Sequence, residues 1–215
     1  MKNRPYNLIL MSAALLVGVA GCASLRPVNL SNTECDDPSY CFAKGQAFES
    51  RRRDWVSAVA AYEKGCELGS AESCDRAGYL IGRGLIGGGE AERAADLYRK
   101  ACDLDGSECV NYAGRLCNGD GVEVDAEKGL RLARQASGWR YRSHVIGLCQ
   151  EELGRISEAS ESYAQACEQG YGGSCLNLER MVHNDGNPKE AFGWAQKAIG
   201  VLKPRCLDER DPLSC

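Results

Sequence analysis

Residues 66–74 read C-E-L-G-S-A-E-S-C, and Tyr62 stands four residues ahead of the first cysteine. A near copy, C-E-Q-G-Y-G-G-S-C, occupies 167–175 behind Tyr163, and a version one residue shorter, C-D-L-D-G-S-E-C, occupies 102–109 behind Tyr98. Taken as equivalent positions, Cys41, Cys74, Cys109, His144, Cys175 and Cys206 are 33, 35, 35, 31 and 31 residues apart. A period of that size marks helix-turn-helix solenoids, whose units bury their apolar faces only by stacking on neighbours.

The whole chain is compatible with such an array. It has 215 residues and is 44% hydrophobic, enough for one or two ordinary domains or one short set of repeats with a packed core. Thirteen cysteines at recurrent spacing point to disulfides and an oxidising compartment. Only two histidines and no C-x-x-C accompany them, so zinc fits poorly, and neither a metal nor a cofactor is expected. The formal charge is −4, and removing a leader that carries Lys2 and Arg4 but no acid takes it to −6. An acidic mature chain has no electrostatic basis for binding nucleic acid.

Residues 1–21 read as a secretory leader. Lys2 and Arg4 open it, and Leu8 to Ala20 form a mostly apolar run of 13 residues, shorter than the roughly 20 that a helical membrane span needs. The leader ends in V-A-G-C, Val19 to Cys22, which resembles the bacterial lipobox. That resemblance implies diacylglycerol on the Cys22 sulfur and cleavage that leaves Cys22 as the new N-terminus. Cysteine parity agrees, because 13 is odd and assigning Cys22 to lipid leaves 12 to pair. Acyl chains such as palmitate on Cys22 would hold the protein on a membrane, each buried CH₂ contributing about 0.8 kcal/mol. Residues 22–38 are polar and proline-punctuated, which suits a tether. Ala23 follows the lipid cysteine, and the resemblance to bacterial lipoproteins then implies the outer membrane, facing the periplasm or exposed at the cell surface.

From residue 39 to the end, 39–215, the units follow one another as a first helix, a turn and a second helix. Asp54 and Asp125 are placed to cap second helices, and Asn187, Pro188 and Glu190 supply a cap, a first-turn proline and a capping-box acid. Ala58, Ala94 and Ala159 precede Tyr62, Tyr98 and Tyr163 by four, so small and large residues share one helix face. First helices such as A-G-Y-L-I-G-R-G at 77–84 end in glycine, which suits a tight reversal.

These units resemble Sel-like repeats, relatives of the tetratricopeptide repeat, with the pattern A-x-x-x-Y-x-x-A-A-x-x-G, then L-G, then G-x-G-V and an acid before a new helix. Residues 109–137 match best, with Gly119, Gly121, Val122 and Asp125 in place. The cysteine pairs resemble the secreted cysteine-rich (Hcp-type) branch of that family. The fold implied is an all-α, right-handed α-solenoid stapled by disulfides, with a protein or peptide ligand in its concave face.

Each first cysteine ends one helix and each second begins the next, so pairs facing across a short turn meet disulfide geometry. The expected pairs are Cys66 with Cys74, Cys102 with Cys109 and Cys167 with Cys175. Ser137 and His144 occupy the two cysteine positions of another turn, leaving it unstapled. Cys117 and Cys149 are then left on successive first helices and are expected to bridge, while Cys35 with Cys41 and Cys206 with Cys215 close the two ends.

Gly82, Gly84 and Gly87 spell G-x-G-x-x-G, but the motif binds dinucleotides only after a strand, and here it follows a helical pattern. No S-x-x-K, K-T-G, H-E-x-x-H, G-x-S-x-G or phosphate-loop pattern occurs, and His144 and His183 have no partner pattern. Arg51 to Arg53 read as a solvated helix end. Trp139, Arg140, Tyr141 and Arg142 lie in the unstapled turn and are of residue types that often carry binding energy, which makes them partner-binding candidates. A membrane-anchored binding protein without catalysis is therefore expected. The alternative is weak penicillin binding or β-lactam hydrolysis, implied by resemblance to some members of the cysteine-rich branch.

Overall fold

A computed structural model describes residues 34–88, 90–137 and 139–206. The first unit is α1 (Pro38–Arg52) with α2 (Trp55–Glu67), and the second is α3 (Ala71–Gly82) with α4 (Ala91–Leu104). A 3-10 turn leads into the third, α5 (Val110–Asn118) with α6 (Ala126–Gln135); α7 (Trp139–Glu152) with α8 (Ile156–Glu168) and α9 (Gly172–Asn184) with α10 (Pro188–Cys206) complete five helix pairs. Among the described residues there is no strand beyond one isolated bridge between Leu85 and Gly87.

The helix starts follow local chemistry. Asp54 accepts from the Ser57 backbone N–H at 3.1 Å and Asp125 from that of Lys128 at 3.0 Å, which satisfies N–H groups that have no partner within the helix. Asp37 and Ser70 cap α1 and α3 in the same way, with Pro38 in the first turn of α1. At α10 the box closes through side chains: the Asn187 amide donates to Glu190 Oε2 at 2.8 Å.

Inside a unit, a tyrosine ring of the second helix lies over a glycine of the first. A Cβ on Gly45 would stand 2.5 Å from the Tyr62 ring, one on Gly147 2.7 Å from Tyr163, and one on Gly78 3.1 Å from Tyr98. Tyr62 and Tyr163 are fully buried there. The third unit has Leu130 in place of the tyrosine. Its close contact is reversed: Gly129 on α6 lies against the Cys117 and Cys149 sulfurs, which join α5 to α7.

Five of the six expected cysteine pairs stand at bonding distance: Cys35–Cys41, Cys66–Cys74, Cys102–Cys109, Cys117–Cys149 and Cys167–Cys175, with Cα separations of 4.3 to 5.4 Å. The Cys206–Cys215 pair and Cys22 lie outside the described residues. Two local expectations are corrected. Residues 139–142 form the first turn of α7 rather than a loop, and α10 runs without a break from Pro188 to Cys206, so Cys206 ends a helix instead of beginning one as the other cysteines at its repeat position do.

The unstapled reversal between α6 and α7 is tied differently. Ser137 donates its backbone N–H and its hydroxyl to the Ser107 carbonyl at 2.9 and 3.1 Å, linking this reversal to the one before it. Ion pairs recur at repeat spacing too. Arg76 pairs with Glu49, Arg93 with Glu63 at 2.7 Å, Arg155 with Glu127 at 2.6 Å and Arg180 with Glu151 at 2.5 Å, each joining successive units. Most are half exposed, so each contributes at most about 1 kcal/mol.

Two consequences are measurable by urea unfolding of the oxidised protein. Replacing Cys117 and Cys149 together by alanine costs about 1 kcal/mol more than replacing Cys66 and Cys74, because the sequence separation is 32 residues against 8 and the unfolded chain gains more freedom. Gly129→Ala destabilises by about 1–3 kcal/mol through overpacking against the sulfurs, whereas Gly193→Ala on exposed α10, with nothing within 4 Å, stabilises by up to about 1 kcal/mol.

Candidate functional site

The Gly–Tyr packing positions a hydrogen-bonded relay. One turn beyond Gly45, Glu49 accepts the Tyr62 hydroxyl proton at 2.9 Å, and Arg76 of the next unit donates Nε to the same carboxylate at 3.0 Å. The arrangement recurs in the fourth unit: Tyr163 donates to Glu151 at 2.9 Å, and Arg180 of α9 pairs with it. Burial and the neighbouring carboxylate push both tyrosine hydroxyls well above their ordinary pKa, so they stay protonated and donate to the carboxylate. In the second unit Gly82 stands where the glutamate would be. Arg115 fills that space, stacks over Tyr98 and pairs with Asp120. The glutamate and arginine of the relay were not visible in the sequence as a pair. Their signal is Gly-x-x-x-Glu in a first helix with a tyrosine in the second.

The first relay opens into a groove of about 690 Å³ at the reversal from α1 to α2. Phe42, Trp55 and Tyr62 supply its aromatic surface, and Gln46, Glu49, Ser50, Arg53 and Arg76 its polar groups. Phe42 and Tyr62 pack with ring centroids 5.6 Å apart. Arg76 is fixed twice, by Glu49 and by stacking over Tyr79 at 4.8 Å. Arg53 on the rim closes α1 with φ of 50°, the one non-glycine left-handed residue among those described.

The same edge of the stack, where each first helix hands over to its second, carries exposed apolar side chains. Val56, Ile156 and Phe192, near the starts of α2, α8 and α10, are 66%, 51% and 65% exposed, and Val124 just ahead of α6 is 48% exposed.

The candidates read from sequence fall elsewhere. Tyr141 packs inward, its ring 5.5 Å from Tyr171 and 5.8 Å from His144, and Arg142 donates to the Ala136 carbonyl at 3.2 Å. The side chains of Trp139 and Arg140 lie outside the described part of the structure. His144 sits among Tyr141, Tyr163 and Tyr171, with Nδ1 at 2.9 Å from Ser174 Oγ. That pair has the elements of a nucleophile and base, but Ser174 is fully buried and meets no substrate. It serves to join α7 to α9 where a staple is missing. His183 is exposed at the end of α9. The G-x-G-x-x-G run leaves α3, a helix, and enters a turn, so it has no strand to work from.

No protein-family model matches the chain, and no characterised protein matches it in sequence. Solved structures do match in shape. A Sel1-repeat protein from Oxalobacter formigenes is 19% identical with a TM-score of 0.58, covering 78% of this chain and 74% of that one. A protective antigen of uropathogenic Escherichia coli that displays the SLR fold is 25% identical with a TM-score of 0.56, over 76% of this chain and 38% of that one. A MamA protein from Desulfovibrio magneticus is 13% identical with a TM-score of 0.52, over 80% and 97%. The molecule is thus an α-solenoid of disulfide-stapled helix pairs. Its fold is that of Sel1-repeat proteins.

Burial lowers the His144 pKa from 6.5 to about 4. As pH falls the unfolded chain takes up this proton first, so the contribution to stability is complete above about pH 6.5 and is lost towards pH 4, up to roughly 3 kcal/mol. His144→Asn is expected to remove most of that slope, read as the difference between variant and parent unfolding free energies across this window.

Proposed function

We propose that this chain is a lipid-anchored envelope protein, of the secreted cysteine-rich Sel-like kind, whose solenoid binds a protein or peptide partner. The observation that carries the binding role is the row of exposed apolar side chains on one edge, Val56, Val124, Ile156 and Phe192. Large apolar groups repeated along one edge of a folded stack are characteristic of contact surfaces. The family resemblance puts the partner on the concave face. The edge is the better surface, because polar side chains that first helices turn towards one another are already paired, as Asp75 with Asn111 at 2.7 Å and His144 with Ser174.

The anchoring role rests on the leader and on V-A-G-C ending at Cys22. Five disulfides suit an oxidising compartment such as the periplasm, and the likeness to a protective antigen suits an outer-membrane or surface location. The acyl chains on Cys22 supply membrane affinity, and residues 23–37 supply reach between lipid and α1. The role is binding rather than catalysis.

In cells, Cys22→Ser is expected to abolish incorporation of a palmitate analogue and to move the protein from the membrane to the soluble fraction; retention of label would remove the anchor from the proposal. Ile156→Asp with Phe192→Asp is expected to leave stability within about 1 kcal/mol while reducing the partners captured by crosslinking in intact cells. An unchanged partner set would exclude this edge.

A further inference from the structure

Eight side chains line the groove between α1 and α2, and none of them is aliphatic. Its apolar surface comes from aromatic rings alone. Here the aromatic surface of Phe42 and Trp55 is set among planar polar groups, the Gln46 amide, the Glu49 carboxylate and the Arg76 guanidinium, with the Ser50 hydroxyl beside them.

That combination complements a pyranose. A sugar ring has an apolar C–H face, which packs on an aromatic ring, and a rim of hydroxyls, each both donor and acceptor. Amide, carboxylate and guanidinium groups meet adjacent hydroxyls two at a time. Gln46 is exposed and its amide has no hydrogen-bond partner among the described residues, so both its donors and its acceptor are available. Arg76 donates Nε and Nη2 to Glu49, while Tyr79 fixes its plane. The Arg76 guanidinium is therefore held in place before a ligand arrives. A groove of about 690 Å³ falls within the range of ordinary small-molecule sites and is large enough for two linked sugar rings.

The fourth unit provides an internal comparison. It has the same relay of Tyr163, Glu151 and Arg180. Counting from Gly147 and Tyr163, however, the positions of Phe42, Gln46 and Trp55 are held by His144, Leu148 and Ile156. The relay is common to both units, whereas the aromatic platform and the open amide belong to the first. We propose that the groove between α1 and α2 is a saccharide-binding site, with Trp55 and Phe42 as the platform and Gln46 and Arg76 as donors to ring hydroxyls. The groove lies on the same edge of the stack as Val56, but its residues are distinct from Ile156 and Phe192, so its test is separate from that of the apolar edge and of the lipid anchor.

The test is isothermal titration of the mature, oxidised protein with N,N′-diacetylchitobiose and with maltose. Saturable binding of at least one is expected, weakened by about tenfold or more in Trp55→Ala and in Gln46→Ala, the loss of a stacking face or of a paired donor. Glu151→Gln in the second relay is expected to leave the affinity unchanged. Far-ultraviolet circular dichroism of each variant shows whether it remains folded, and Gln46, being exposed, gives a variant that retains the fold. Absence of saturable binding to both disaccharides overturns the proposal. So does binding that survives both groove substitutions.

Discussion

A tyrosine ring resting on a bare glycine backbone sets the geometry on which the rest of the stack depends. At Gly45 and Gly147 a methyl group would collide with Tyr62 or Tyr163, and at Gly78 it would press on Tyr98. The missing side chain lets the two helices of a unit approach closely while the large ring fills the volume between them, which close packing requires. The glycine is costly in a helix by roughly 1 kcal/mol, and the burial of a tyrosine offsets that. The third unit obeys the same constraint by other means. There the Cys117–Cys149 bridge is the bulky group and Gly129 the vacant position.

With the helix pairs fixed, their stacking follows from the reversals. Bridges at Cys66–Cys74, Cys102–Cys109 and Cys167–Cys175 clamp the end of one unit to the start of the next, limiting the freedom of the unfolded chain. Where cysteine gives way to Ser137 and His144, hydrogen bonds to Ser107 and Ser174 make the connection to the neighbouring units. The stack is thus held mainly by nearest-neighbour contacts, as in other repeat arrays.

The groove is a by-product of this geometry. A tyrosine pinned over glycine sends its hydroxyl towards the carboxylate one turn along, and that carboxylate holds an arginine from the next unit. The relay orients side chains at the α1–α2 reversal, where Phe42, Gln46 and Trp55 are exposed enough to meet a ligand. In the fourth unit His144 packs against Tyr163 of the same relay, while Arg180 and Glu151 stay partly exposed. One scaffold device therefore recurs with different side chains around it.

The sequence by itself determined the repeat, the helix starts at Asp54 and Asp125 and the turn-closing cysteine pairs, because each rests on contacts within a few residues or on a period that spacing reveals. Even Cys117 with Cys149 was legible, since both remain once the turns are paired and both fall on successive first helices. Tertiary structure alone decided that Trp139 to Arg142 begin a helix with Tyr141 turned inward, and that Glu49 meets Arg76. Those outcomes depend on how neighbouring units rotate against one another, and that rotation is set by side-chain volumes summed over many distant residues. The Gly-x-x-x-Glu spacing marks the glutamate, but not the arginine that the next unit brings to it.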